Sequence, residues 1–409
     1  MARTVLLTCL LVLFLAVPGL PPDPAAARSS SLGTAYVADE LIVRLAPAAS
    51  PHRFATASGL RLAPGGAAQL PGAPIYRFQI LDGAPPHAKA AALAGNPHVI
   101  YAEPNYLGQL PEAQKRSSWV VGGDSGAYVG QWAGERIGLG RAHAVARGAG
   151  VTVAILDTGV DLDHPALAGR LVAGYDFVAG DDTPREEAGG PDGAFGHGTH
   201  VAGLVALAAP EAQIMPLRTL DADGVGDLWT QVLALRYAAD RGAAVINLSF
   251  SFGQQSALFD DVVAEVTCST VGYAGCRARS LPGAVVVAAA GNGGTRARQW
   301  PGASTIPGIV AVGASTMGDG LAGFSSFGPW VPLAAPGEDV LSSVPGGAYA
   351  TWSGTSMAAP LVSGVSALVR STGAQLRPAE VIRRVVGTGS TIDAPVRRRL
   401  DAAAAVGAP

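Results

Sequence analysis

VTVAILDTG, residues 151–159, is the stretch that decides the fold class. Residues 151–156 form a continuous apolar run, as a strand covered on both faces requires. A carboxylate, Asp157, follows directly. Ligands in open parallel sheets bind beyond the carboxyl ends of the strands, so Asp157 is a candidate site residue as well as ordinary turn chemistry before Gly159. Working outward, residues 213–217, 244–248, 284–289 and 309–312 read as further strands. Helix-prone stretches lie between them at 199–208, at 227–240 with Asp227 as N-cap, and at 257–266. Two more, 356–370 and 378–386, close the chain, with Pro378 in a first-turn position. This alternation predicts an α/β fold built on a mostly parallel, doubly covered sheet.

The leading part differs. Residues 40–45 (ELIVRL) and 75–80 (IYRFQI) alternate apolar with polar, residues 88–93 are helix-prone, and 98–102 form another short strand. That predicts a small α+β domain over 28–107, then a polar, Gly- and Ser-containing linker over 108–128 and the large domain over 129–409. Residues 1–27 read as a secretory signal. Arg3 supplies the charge, 4–17 are almost wholly apolar, and Ala25, Ala26 and Ala27 offer the cleavage site. The apolar run is shorter than the roughly 20 residues a membrane span needs. The expectation is an exported protein with no membrane attachment after signal removal.

The 409 residues are 49% hydrophobic and 14% charged, a composition that buries well, and the net charge of -3 gives no electrostatic case for a nucleic-acid partner. Of three Cys, Cys9 lies in the signal. In an oxidising compartment Cys268 and Cys276 are expected to close a short loop as a disulfide rather than remain free thiols. The segment 262–281 that carries them reads as a stapled surface loop.

Four polar residues mark element edges. Asp157 ends the first strand. His197 lies in GHGTH, residues 196–200, ahead of an apolar helix. Asn292 follows the strand in AAAGN, residues 288–292, where a primary amide could donate to a developing oxyanion. Ser356, in GTSMAAP, residues 354–360, opens a helix among small residues, as either an N-cap or a nucleophile beside free N–H groups. A zinc reading of His197 and His200 lacks further ligands and any HExxH. The order Asp, His, Ser is neither that of α/β hydrolases nor that of chymotrypsin-like chains.

On these segments, with VINLS at 245–249 and APG at 335–337, the chain resembles the subtilisin family of serine proteases from about Gln131 onward, nearest the thermitase-like members. The leading region, ending YAEPNY at 101–106, resembles that family's inhibitory propeptide. The resemblance implies a secreted endopeptidase working through an acyl-enzyme with Ser356 as nucleophile, His197 as base and Asp157 as its orienting carboxylate. Asn292 and the Ser356 backbone N–H would form the oxyanion hole. It also implies a self-processed precursor inhibited by its own propeptide, with peptides or proteins as substrates and no catalytic cofactor. A homologue that binds peptides without catalysis is the alternative; an intracellular processing factor conflicts with the signal.

The resemblance further implies a substrate strand laid along Ser249, Phe250, Ser251 and Gly253, with Ala289, Ala290 and Gly291 as the far wall of the pocket. Here Phe250 replaces an aliphatic and Ser251 a glycine, so the groove is expected to be crowded or the edge shifted. The family's calcium loop after the histidine is missing, since 205–211 run straight through, and Ala166 replaces an expected Asp. At a second calcium site Asp176, Asp181 and Thr183 remain, but Ala179 and Arg185 hold expected ligand positions and a cation opposes calcium. Structural calcium is therefore not expected at either place. Leu361 replaces a common His without expected consequence. The family has a proline near Pro301, which makes Trp300–Pro301 a candidate cis bond against a general frequency of about 5%.

Overall fold

Alternating strand residues face two separate apolar layers. The computed structural model describes residues 35–64, 67–114, 120–189, 194–269, 282–373 and 375–409. The signal segment and Cys276 lie outside the described residues. A nine-stranded sheet runs, from one edge, Ser390–Thr391, Arg398–Arg399, Leu333–Pro336, Ile309–Ser315, Val285–Ala289, Val245–Leu248, Thr152–Asp157, Gln213–Arg218 and Tyr175–Asp176. Every pairing is parallel except the hairpin at the first edge. Val153, Ile155, Val245, Val285 and Val287 pack with helices His197–Ala208 and Thr355–Thr372. Ala154, Leu156, Ile246, Val286 and Ala288 pack on the other face with helices Leu228–Asp240 and Ala257–Val266. Both faces are thus buried, which is why these strands read as continuous apolar runs.

A second, antiparallel sheet contains Leu60–Leu62, Ile75–Ile80, Tyr36–Leu45 and Val99–Gln109. Its last strand is longer than the sequence suggested. It leaves the leading domain at its C-terminal end and pairs antiparallel with Val225–Asp227 of the large domain, so residues 108 and 109, expected in the linker, are strand. Glu103 and Asn105 on this strand dock it to the large domain. The Glu103 carboxylate accepts from Ser256 Oγ (3.1 Å), Ala257 N (3.2 Å) and Leu258 N (2.8 Å), at the start of helix Ala257–Val266. Asn105 Oδ1 accepts from Trp229 N (3.0 Å) at the start of helix Leu228–Asp240. Free N–H groups at helix starts are thereby satisfied from outside their own domain.

One local expectation changes and others hold. The segment 262–281 is not all loop, because Val262 to Val266 are the last turn of helix Ala257–Val266. Cys268 is disulfide-bonded. Trp300–Pro301 is cis. The hairpin Val340–Val344 with Ala348–Trp352 had no counterpart in the sequence reading. Leu361 is fully buried in the core, where an apolar side chain suits its surroundings. Among the described residues no helix is long and apolar enough to cross a membrane.

Candidate active site

Asp157 is the last residue of its strand, and His197 is the first residue of its helix rather than preceding it. The two meet because Gly198 lies against the loop after the strand: a Cβ there would fall 2.0 Å from Gly159 O. His197 Nδ1 donates to Asp157 Oδ1 at 2.7 Å, and the same oxygen accepts from Thr158 N at 2.8 Å. Both side chains are buried. Ser356 is not an N-cap; the cap position is Gly354, and Ser356 is the second residue of helix Thr355–Thr372. Asn292 is fixed by its own oxygen, which accepts from Thr355 N (2.9 Å) and Thr355 Oγ1 (2.8 Å), leaving the amide nitrogen to face the serine.

These groups converge on a residue the sequence reading did not single out. The chain beyond strand Val99–Gln109 turns into a short 3-10 helix, Pro111–Gln114, and Glu112 enters the site. Its Oε2 accepts from Ser356 Oγ at 2.8 Å and lies 3.3 Å from His197 Nε2. Its Oε1 accepts from Asn292 Nδ2 at 2.9 Å. The serine and the imidazole therefore face each other across one carboxylate oxygen. Gly354 makes room for it, since a Cβ there would fall 1.9 Å from Glu112 Oε1.

The charges follow the geometry. Burial opposes an imidazolium at His197, but the Asp157 and Glu112 carboxylates outweigh it and push the group up to about 10. Burial alone would raise Glu112; its pairing with His197 and its bonds from Ser356 and Asn292 instead hold it below the usual carboxylate range. A second glutamate, Glu186, was also missed. It accepts from Gly196 N (2.9 Å) and Thr199 N (2.9 Å) at the start of the histidine helix and from Thr158 Oγ1 (3.2 Å) beside Asp157. Burial pushes it up to about 7.

His200 is structural: Nε2 donates to Ala350 O (3.0 Å), the ring stacks on Trp352, and burial lowers it to about 3. Among the described residues no cluster of three or more His, Cys, Asp or Glu could hold a metal. In the second loop the Asp176 carboxylate is already engaged. Asp176 Oδ1 accepts from Val178 N and Ala179 N, both at 2.8 Å, and Oδ2 from Arg218 at 2.8 Å. That cation is Arg218, fully buried, and not Arg185, which points to Asp163 (2.8 Å). A buried cation paired with Asp176 opposes calcium at this loop.

The residues expected to form the groove edge lie beside the tail of the leading domain. Ser251 exchanges both backbone bonds with Gln109 (3.0 and 2.9 Å), so its side chain does not shift the edge. Ser249 O accepts from Ser356 Oγ at 3.3 Å. Phe250 is fully buried in the same apolar layer as Leu110 of the tail, and Gly253 follows at the end of the edge. Ala289, Ala290 and Gly291 end the strand next to Asn292, with Gly291 N donating to Thr355 Oγ1 at 3.0 Å.

Residues 148–400 match the sequence model of the subtilase family. The chain belongs to the subtilase family. It is a serine-type endopeptidase with an N-terminal prodomain, for residues 22–105 match the fervidolysin N-terminal prodomain. This subtilase is 36% identical over 331 residues to the thermophilic serine proteinase of Bacillus sp. (strain AK1), covering 77% of this chain and 75% of that one. It is 38% identical to thermitase of Thermoactinomyces vulgaris, covering 63% of this chain and 86% of thermitase. Its fold superposes on fervidolysin from Fervidobacterium pennivorans, described as a keratinolytic enzyme related to subtilisin, with a TM-score of 0.72. That match has 24% identity, 91% of this chain and 61% of the fervidolysin chain.

Proposed function

We propose that this subtilase is an exported endopeptidase, made as a self-processed precursor, in which Ser356, His197 and Asp157 form and break an acyl-enzyme. Ser356 Oγ attacks the peptide carbonyl carbon as its proton passes to His197 Nε2. The carbonyl oxygen, now negative, takes the place of Glu112 Oε1 beside Asn292 Nδ2 and the Ser356 backbone N–H. Collapse expels the amine, which receives the proton from His197, and water then repeats the sequence on the ester. Asp157 holds Nδ1–H and stabilises the imidazolium. The observation that carries this reading is the convergence of Ser356 Oγ, His197 Nε2 and Asn292 Nδ2 on one carboxylate.

The same contact supports inhibition of the precursor. A carboxylate is not an electrophile, and while Glu112 occupies the site no peptide carbonyl can enter it. Self-cleavage, between residues 107 and 128, requires the tail to shift so that a backbone carbonyl replaces the glutamate. Full-length precursor treated with a fluorophosphonate should label at Ser356 as it matures. Ser356→Ala precursor should keep its prodomain uncut. Absence of label at Ser356 in processed protein would overturn the assignment.

A further inference from the structure

The prodomain tail marks the path of a bound chain. Residues 107–109 pair antiparallel with Asp227, Gly226 and Val225 on one side, and Gln109 pairs with Ser251 on the other. Leu110 N then donates to Gly224 O at 3.0 Å. The antiparallel register Gln109–Ser251 brings residue 111 level with Ser249, whose carbonyl touches Ser356 Oγ. A substrate in this register has its scissile carbonyl at the level of residue 111, and Gly108 marks the fourth residue counted back from the cut.

At that level the groove is filled. A Cβ on Gly108 would fall 2.7 Å from Phe252 Cε1, 3.0 Å from Cδ1 and 3.2 Å from Cζ. The ring cannot readily swing aside. It is 2% exposed and packs edge-on against Phe250 (5.6 Å between centroids) and Phe259 (5.9 Å). Its backbone is held at both polar atoms by Trp300 (2.5 and 3.2 Å). Gly226, which pairs with Gly108, has no room for a side chain either, since a Cβ there would fall 2.4 Å from Thr219 O and 2.7 Å from Gln231 Nε2. Leu110, two residues on and on the same side of the strand, is buried in the apolar layer, so side chains are accommodated there.

We propose that Phe252 is a specificity-determining residue that closes the groove at the fourth position before the cleaved bond and selects glycine there. The proposal rests on the protease reading above. Proteins with glycine three residues before the scissile residue are therefore the favoured substrates, and the tail obeys the same rule with Gly108.

The test uses mature enzyme obtained from the full chain and internally quenched peptides X-Gln-Leu-Z. X is Gly, Ala, Leu or Phe, Z is a mixture of residues, and mass spectrometry identifies cleavage after Z. Wild type should favour Gly over Leu and Phe by about ten- to hundredfold in kcat/KM. Phe252→Ala should bring Leu and Phe level with Gly. Phe252→Val serves as the milder variant, with Ser356 labelling as the check on folding. Independently, Gly108→Leu in the full chain should displace the tail and speed fluorophosphonate labelling of uncut precursor by at least about tenfold. Equal use of Gly, Leu and Phe by wild type, a glycine preference that survives in folded Phe252 variants, or unchanged labelling in Gly108→Leu would each overturn the proposal. If Ser356 takes no label and no peptide is cut, the protease reading fails and takes the proposal with it; labelled enzyme without glycine preference removes the proposal alone.

Discussion

Replacing Glu112 by Gln keeps the shape of the plug and removes its charge. In the precursor the carboxylate receives bonds from Ser356 Oγ and Asn292 Nδ2 and pairs with His197. Hydrogen bonds to charged groups contribute about 1.5–3 kcal/mol each and neutral ones about 0.5–1.5, so the amide should lose about 2–3 kcal/mol of docking once the ion pair is included. At 1.4 kcal/mol per decade this corresponds to about 30- to 150-fold more frequent exposure of the serine. The strand bonds of residues 107–110 remain, so the tail is loosened and not lost. The assay is the initial rate at which a fluorophosphonate labels the uncut band at neutral pH. Asp157 and the docked Glu112 together raise His197 to about 10, so docking supplies part of that rise, and docking lowers Glu112. The stabilisation from His197 is therefore full at low pH and lost as pH rises through about 10. That from Glu112 is present above the ordinary carboxylate range and lost as pH falls through its lowered value. The ratio of mutant to wild-type labelling should thus peak in the neutral range and fall toward unity at both extremes. Equal labelling of the two precursors across this range would refute the plug.

The other contacts give sharper local tests. Glu103→Ala removes the acceptor at the start of helix Ala257–Val266 and should weaken binding of the cleaved prodomain by about 1–2 kcal/mol, read as a rise of about five- to thirtyfold in its inhibition constant. Glu186→Ala leaves Gly196 N and Thr199 N without their acceptor and should lower kcat about tenfold with little change in KM, since the bonds hold the histidine helix and not the substrate. Because burial pushes Glu186 from 4.5 up to about 7, the stability of wild type relative to Glu186→Gln should fall as pH rises from about 4.5 to about 7 and level off above, a dependence visible in Tm. Arg218→Met strands the buried Asp176 carboxylate and should cost about 3–5 kcal/mol of stability. Chelators should leave the wild-type Tm unchanged, and a drop would show that calcium binds despite the Arg218–Asp176 pair.

What could be read from the sequence was what local chemistry encodes. Asp157 follows an apolar run, and a doubly covered strand can be recognised from that run alone because both of its faces need apolar partners. His197, Asn292 and Ser356 each sit at an element edge among small residues, so position and composition marked them together. Glu112 carries no such mark. Its role exists only because strand Val99–Gln109 runs beyond its own sheet and aims the next turn at Ser356, a consequence of a pairing with residues more than a hundred positions away. Glu186 is hidden for a related reason: it serves the start of a helix that begins at His197, from a stretch without regular periodicity. The groove shows most clearly where residue identity alone misleads. Ser251 and Phe250 were the departures from the resembling pattern, and crowding was expected from them. Along an extended edge, however, side chains alternate, so Phe250 turns into the core while Ser251 offers only its backbone to the tail. It is Phe252, on the same side as Phe250, that meets the bound chain, and it does so where that chain has no side chain to displace. A sequence states which residues are unusual; which of them touches a ligand follows from strand register, and register is settled by the partner strand.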